Sequence, residues 1–234
     1  VGDVVLGGLW LEHPPLREET QELLQLFANQ ATVAIQNMLL YEMAALDPLT
    51  GVHARRFFES WMRREVRTAF RSQHPVALLL LDMDGLKTIN DTAGHWAGDQ
   101  ALAAVGKVLR QATRENDIVG RFGGDEFAVV FPQTDADGAR RVADRLLAML
   151  RETNVRGPKG DIGLSASLGL ATLPSYHLPA VGFERPIPVE YFQGMAEALL
   201  QSADEALYVA KSSGKSQLCT AEAINWRALG IPDP

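Results

Sequence analysis

Three aspartates, Asp82, Asp84 and Asp125, pose the first chemical question. The first two follow an apolar run of strand length, PVALLLL (Pro75 to Leu81), and the third follows a Gly-Gly pair in RFGGDEFAVVF (Arg121 to Phe131). Carboxylates gathered at the ends of adjacent strands repel one another unless something positive sits between them. A divalent cation answers that need. Hard oxygen donors favour magnesium, with manganese as an alternative, and magnesium takes one or two carboxylates and fills its shell with water and phosphate oxygens. The absence of a His/Cys cluster argues against structural zinc. Gly85 and Leu86, at the start of a short helical turn, offer backbone N–H groups to an anion, and Lys87 adds charge beside them. Lys211 and Lys215, at the end of a later helix, either close on the same phosphates or serve as a solvated, dipole-complementing helix C-terminus. Asn90 and Asp99 can read a base edge of the kind guanine's N1 and N2 present, or can simply cap a turn and a helix.

The elements that must position these residues follow from periodicity. RFGGDEFAVVF reads as a β-hairpin whose glycines take the positive φ of a tight two-residue turn, flanked by Ile118, Val119, Phe122 and by Phe127, Val129, Phe131. Asp125 and Glu126 then emerge at the mouth of a sheet. PVALLLL is continuous and apolar, a strand buried on both faces. Helices are expected over Arg55 to Arg71, Asp99 to Ala112, Asp135 to Leu150 (with Arg140, Arg141 and Arg145 exposed) and Met195 to Lys211. His95 to Gly98 reads as a loop. Leu164 to Leu173 alternates like a strand with one wet face, Pro174 to Gln193 as a long loop insertion, and Ser216 to Thr220 as a closing strand. Strands mixed with helices and joined in a hairpin point to an α+β sheet flanked by helices.

Upstream, Val1 to Glu12 has strand composition, and Glu18 to Leu46 is helical, with Leu24, Phe27, Ala31, Ala34, Met38, Tyr41 and Ala45 at alternating steps of three and four. This seam fits equally a core-facing helix and a signalling helix that pairs with its twin. The turn cluster Asp47-Pro48-Leu49-Thr50-Gly51 marks the expected boundary, giving 1–46 as a linker-bearing remnant, 47–222 as the main domain and 223–234 as a tail.

Bulk properties narrow the partners. The 234 residues are 47% apolar, enough for a packed core. A net charge of −7 speaks against a nucleic-acid partner, which wants a basic surplus. A single cysteine, Cys219, excludes an internal disulfide framework and fits a reducing, cytoplasmic setting. No apolar run has membrane-spanning length, so no direct membrane contact is expected of this stretch, which opens without Met and reads as a piece of a longer protein.

Gly123-Gly124-Asp125-Glu126-Phe127 matches the signature of the GGDEF family of diguanylate cyclases. The similarity extends to DPLTGVHARR (Asp47 to Arg56), DMDGLKTINDTAGHWAGD (Asp82 to Asp99) and ADEALYVAKSSGK (Ala203 to Lys215). The resemblance implies a palm-like α+β fold with a mostly antiparallel sheet, as in nucleotide cyclases. It implies that Asp82, the Met83 carbonyl and Asp125 hold magnesium, with Asp125 also assisting deprotonation of the attacking hydroxyl. It places Asn90, His95 and Asp99 on the base and ribose side of GTP, Gly85, Leu86, Lys87, Lys211 and Lys215 on the triphosphate, and Gly123 and Gly124 where the backbone must approach substrate. Two GTP would condense to cyclic di-GMP in a homodimer. Arg114-Glu115-Asn116-Asp117 resembles the family's RxxD product-inhibition motif, with Arg145 completing the pocket. Val1 to Tyr41 resembles the last strand and helix of a GAF sensory domain, carried by FANQATVAIQNMLLY. Gly85 departs from the bulkier residues common in the family, which implies looser packing of the phosphate loop. The competing expectations are a catalytically silent receptor for cyclic di-GMP or GTP, which usually has a spoiled signature, and a dimerising scaffold, which leaves the acids unexplained.

Overall fold

The computed structural model describes residues 17–43, 45–158, 160–173 and 189–224, with the backbone alone for 37–43. By contacts the chain divides into two compact units, Val1–Leu46 and Asp47–Pro234. In the first, helix α1 (Glu18–Met43) runs without a Gly or Pro, and Leu23, Leu26, Phe27 and Val33 are exposed along it. The expected strand at Val1 to Glu12, and the seam side chains of Met38 and Tyr41, lie outside the described residues.

The second unit is built on strand β2 (Val76–Met83), every residue of which is buried. Its side chains alternate between two cores. Ala77, Leu79, Leu81 and Met83 enter one cluster, and Val76, Leu78 and Leu80 enter the other. Each buried aliphatic side chain contributes about 1.5–3 kcal/mol, so β2 anchors both layers. On the first face lie α3 (Leu86–Ala93), α4 (His95–Ala112) and α5 (Ala136–Glu152), whose Asp135 N-cap accepts from Gly138 N–H at 2.8 Å. On the second lie α2 (Arg55–Ser72) and α6 (Val189–Ser212).

The sheet has six strands: β1 (His53–Ala54), β3 (Ile118–Arg121), β4 (Glu126–Pro132), β2, β7 (Ala166–Leu173) and β8 (Leu218–Thr220), in that spatial order. The central pairings β3·β4, β4·β2 and β2·β7 are antiparallel and the two outer ones parallel, the mostly antiparallel arrangement expected. A separate hairpin, β5 (Asn154–Gly157) with β6 (Gly160–Gly163), was not legible in the sequence.

Four local expectations need correction. Gly123 and Gly124 are not at positive φ. Instead Phe122 N–H and Gly123 N–H both donate to Glu126 O, at 2.8 and 3.1 Å, which closes a wider loop. His95 to Gly98 is the first turn of α4 rather than a loop. The face of β7 read as wet is covered by α6: a Cβ on Gly169 would lie 2.2 Å from Ala203 O and 2.3 Å from Leu207 N, so the helix backbone rests on the strand. The helix expected from Met195 starts at Val189, inside the span read as insertion, while 174–188 lie outside the described residues.

Candidate active site

Strand parity decides where Asp82 points. It shares the face of Val76, Leu78 and Leu80, the side that α6 covers, and Lys211 on α6 meets it at 2.8 Å. Glu126 is its cross-strand partner on β4 and Ser167 its partner on β7. Met83 N–H donates to Asp125 O at 3.0 Å, which joins the end of β2 to the signature loop. Asp82 and Asp125, far apart in sequence, are thus brought to one rim.

The electrostatics show an excess of negative charge. Burial pushes the Asp82 carboxyl above the usual aspartate range; the hydrogen bond and charge of Lys211 oppose this, while Asp125 and Asp84 add to it. For Lys211, burial works against the charge, but Asp82, Glu126 and Asp125 outweigh it and hold the ammonium above its usual value. Lys211 therefore sits as the cation among three carboxylates. Glu126, not assigned a site role from the sequence, belongs to this group through its register opposite Asp82.

Asp84 repels Asp82 as expected, but its own carboxylate is taken up by hydrogen bonds. Ser167 Oγ and Ser165 Oγ donate to it at 2.9 and 3.4 Å, and Ser216 N–H at 3.1 Å. Its carboxylate is spent fastening the segment after α6 to the end of β2, which positions Lys211 and Lys215. Lys215 itself is exposed, with φ 63°, and its N–H donates to Ala210 O at 3.0 Å.

A second anchor was missed in the sequence. Arg121 pairs with Asp47 at 3.1 Å and donates to Gly124 O at 2.7 Å, tying the DPLTG turn to the signature loop. Burial would raise the Asp47 carboxyl, but hydrogen bonds from Thr50 and the Arg121 guanidinium together hold it below the ordinary value. An arginine two residues before a Gly-Gly pair was the available signal.

On the other face, Gly85 opens α3 at φ 76°, with Leu86 and an exposed Lys87 following. Asn90 lies within α3, and its amide packs over Gly98, where a Cβ would come 2.0 Å from Oδ1. His95 and Asp99 are exposed and one turn apart on α4, so they share a side of that helix beside Asn90. The helix begins at Gly94, which removes the cap reading of Asp99. A cavity of about 320 Å³ lined by Leu80, Phe122, Glu126, Leu200 and Asp204 lies on the α6 side, away from Asn90 and Asp99.

Arg114, Asp117 and Arg145 also converge. Arg114 N–H donates to Asp117 Oδ2 at 2.7 Å, Asp117 N–H donates back to Arg114 O at 3.1 Å, and Arg145 donates to the Ala112 carbonyl at the end of α4. Burial raises the Asp117 carboxyl, against the backbone N–H and charge of Arg114 and the charge of Arg145. Two guanidinium groups thus flank one half-buried acid.

Among the described residues no group of three or more His, Cys, Asp or Glu gathers as a metal cage. The carboxylates of Asp82 and Asp125 and the Met83 carbonyl, the set the family resemblance implies, would give the partial oxygen shell that magnesium takes beside water and phosphate. Burial raises the Asp82 carboxyl first and the charge of Asp125 adds to it, a repulsion that a cation between the two would relieve, so the residues present fit such an ion.

A helix-flanked, mostly antiparallel sheet that presents carboxylates at its central strand ends is the palm-like fold of nucleotide cyclases. Residues 44–181 match the family model described as "Diguanylate cyclase, GGDEF domain", and the chain belongs to that family. It is 34% identical over 177 residues to the diguanylate cyclase DosC of Escherichia coli K12, covering 74% of this chain and 34% of that protein. Against the diguanylate cyclase TpbB of Pseudomonas aeruginosa PAO1 it is 33% identical over 217 residues, 92% of this chain and 46% of that one. The chain thus spans about a third to a half of these relatives. Among solved structures it is similar to the GGDEF domain of TpbB (34% identity, TM-score 0.65, 79% of this chain and 99% of that one). It is also similar to the GGDEF domain of DgcB from Caulobacter crescentus in complex with c-di-GMP (26% identity, TM-score 0.66, 77% and 94%).

Proposed function

We propose that this domain condenses two molecules of GTP into cyclic di-GMP, releasing pyrophosphate, as one half of a homodimer. The observation that carries this reading is the meeting of Asp82, Asp125 and Glu126 around Lys211 at the mouth of the sheet. Asp125 takes the proton of the attacking 3′-hydroxyl, held in place by its loop's bonds to Met83 and Arg121. Lys211, Lys215, Lys87 and the N–H groups of Gly85 and Leu86 hold the triphosphate and the charge that leaves with it. Asn90 and Asp99 read the guanine edge, with His95 on the ribose side. A magnesium ion on Asp82, Asp125 and the Met83 carbonyl would neutralise phosphoryl charge when bound. Arg114, Asp117 and Arg145 form the product-inhibition site, because paired guanidiniums suit a phosphate diester. The resemblance of Val1 to Tyr41 to the end of a GAF domain would make α1 the output end of a sensory unit.

The test is incubation with GTP and magnesium, with product read by mass. Cyclic di-GMP is expected from the parent, and a fall of about a hundredfold or more in kcat from Asp125→Ala, in line with loss of a general base. Tight binding of cyclic di-GMP or GTP without turnover, at concentrations where the chain is dimeric, would make it a receptor instead.

A further inference from the structure

The chain as a whole is acidic, at −7, yet α2 (RRFFESWMRREVRTAFRS) carries six arginines against two glutamates. Their placement is one-sided. At about 100° per residue, Arg56, Arg63, Arg64, Arg67 and Arg71 fall within a single arc of roughly 100°, interrupted only by Ser60. All five are exposed. Neither acid of the helix lies in that arc: Glu59 turns aside to pair with Arg55 at 2.7 Å, and Glu65 falls on the opposite flank. The helix's buried side, Phe58, Met62, Val66, Ala69 and Phe70, locks it to the sheet, so the rail is rigid and its direction fixed. Among the described residues Arg56, Arg63, Arg67 and Arg71 make no ion pair or hydrogen bond. Arg64 lies 4.8 Å from the ring centre of half-buried Trp61, which flanks the rail.

From this we propose that the exposed face of α2 docks the protein on an anionic lipid surface. Arg56 to Arg71 spans ~22 Å along the helix axis, and five guanidiniums that all face one way meet a plane together. Four to eight basic residues on an amphipathic helix are what a bilayer rich in anionic headgroups recruits. A nucleic-acid groove has phosphates on both sides and asks for cations on both flanks of the inserted element, with amide side chains between them to read bases; this rail has neither. A specific protein interface has an apolar core, and between these arginines there is only Ser60. The net charge of −7, which in the sequence spoke against a nucleic-acid partner, does not oppose an anionic lipid surface either. Charges beyond about 10 Å are largely screened at ordinary ionic strength, while the rail is in direct contact.

The experiment is co-sedimentation of the full chain with phosphatidylcholine vesicles, with and without phosphatidylglycerol, at low and high salt. Binding is expected only with phosphatidylglycerol and only at low salt. Replacing Arg56, Arg63, Arg67 and Arg71 together by Gln should weaken it by about a hundredfold or more. Replacing the same four by Lys should keep it, which also controls for folding alongside a thermal melt. The pair Arg140→Gln and Arg141→Gln on α5 should leave it unchanged. Absent binding, an equal loss in the α5 pair, or tighter binding to RNA or duplex DNA than to the vesicles would overturn the assignment. The outcome is independent of whether the domain turns GTP over.

Discussion

At the scale of single residues, Asp82 is held where it harms stability. Its folded-state carboxyl is raised, chiefly by burial, so the folded protein binds that proton more tightly than the unfolded one. The cost is absent below the ordinary aspartate value of 3.8 and grows as pH rises through the raised value. Lys211 gives the opposite sign: its raised value contributes stability below 10.5 that is lost above its folded value. The burial of Asp82 outweighs the pair, because the Lys211 side chain is 37% exposed and can turn to water when freed. Asp82→Asn is therefore expected to keep or raise the melting temperature at pH 7 while abolishing cyclase activity, its advantage shrinking to nothing as pH falls below 3.8. Melting curves across pH measure this, and a clear loss of stability at neutral pH would show that the ion pair outweighs the burial. Asp47 has the reverse sign: its lowered carboxyl contributes stability above 3.8 that fades as pH falls through its folded value.

At the scale of elements, α6 carries Lys211 to Asp82 because β7 lets it come close. Ser167, Gly169 and Ala171 lie on one side of that strand, which the sequence showed as alternating with a wet face; at Gly169 the α6 backbone rests directly on it. Gly169→Ala would push a methyl against Ala203 O and Leu207 N, which cannot turn away as a side chain can. The expected cost is about 1–3 kcal/mol, read as a melting temperature lower by several degrees, with a raised KM for GTP as Lys211 is drawn off the rim. An unchanged melt and KM would mean that α6 shifts freely. The same element shows what the sequence could and could not tell. Long apolar runs such as PVALLLL were legible, because burial on both faces leaves no polar position, and so was the convergence of Asp82 and Asp125, which needs only two strand ends. The start of α4 was not, since Gly94 and Gly98 look like breakers until Asn90 is seen packed over Gly98. Nor was the role of Asp84, whose serine and backbone partners come from as far as Ser216. Two- and four-residue strands such as β1 and β5 carry too few side chains to show a period.

At the scale of the whole molecule, the proposed reaction joins two identical nucleotides, and each chain offers one signature loop. A symmetric pair of chains must then present two sites to each other, and the rate must follow the concentration of pairs. The first unit supplies a candidate means: α1 leaves Phe27 62% and Leu23 67% exposed, with Leu24, Ala28 and Ala31 half-buried beside them. An exposed apolar stripe on a 26-residue helix is the surface a coiled-coil twin covers. Specific activity should accordingly climb with protein concentration and level off once pairing saturates. Leu24→Asp with Ala31→Asp places charges in that seam and should move the midpoint up by about tenfold or more, while GTP binding by each subunit stays as it was. Sedimentation and initial rates taken over one dilution series measure both quantities together. Rates strictly proportional to concentration down to levels where the chain sediments as a monomer would mean that one subunit completes both phosphodiester bonds, and would remove the purpose assigned to the seam.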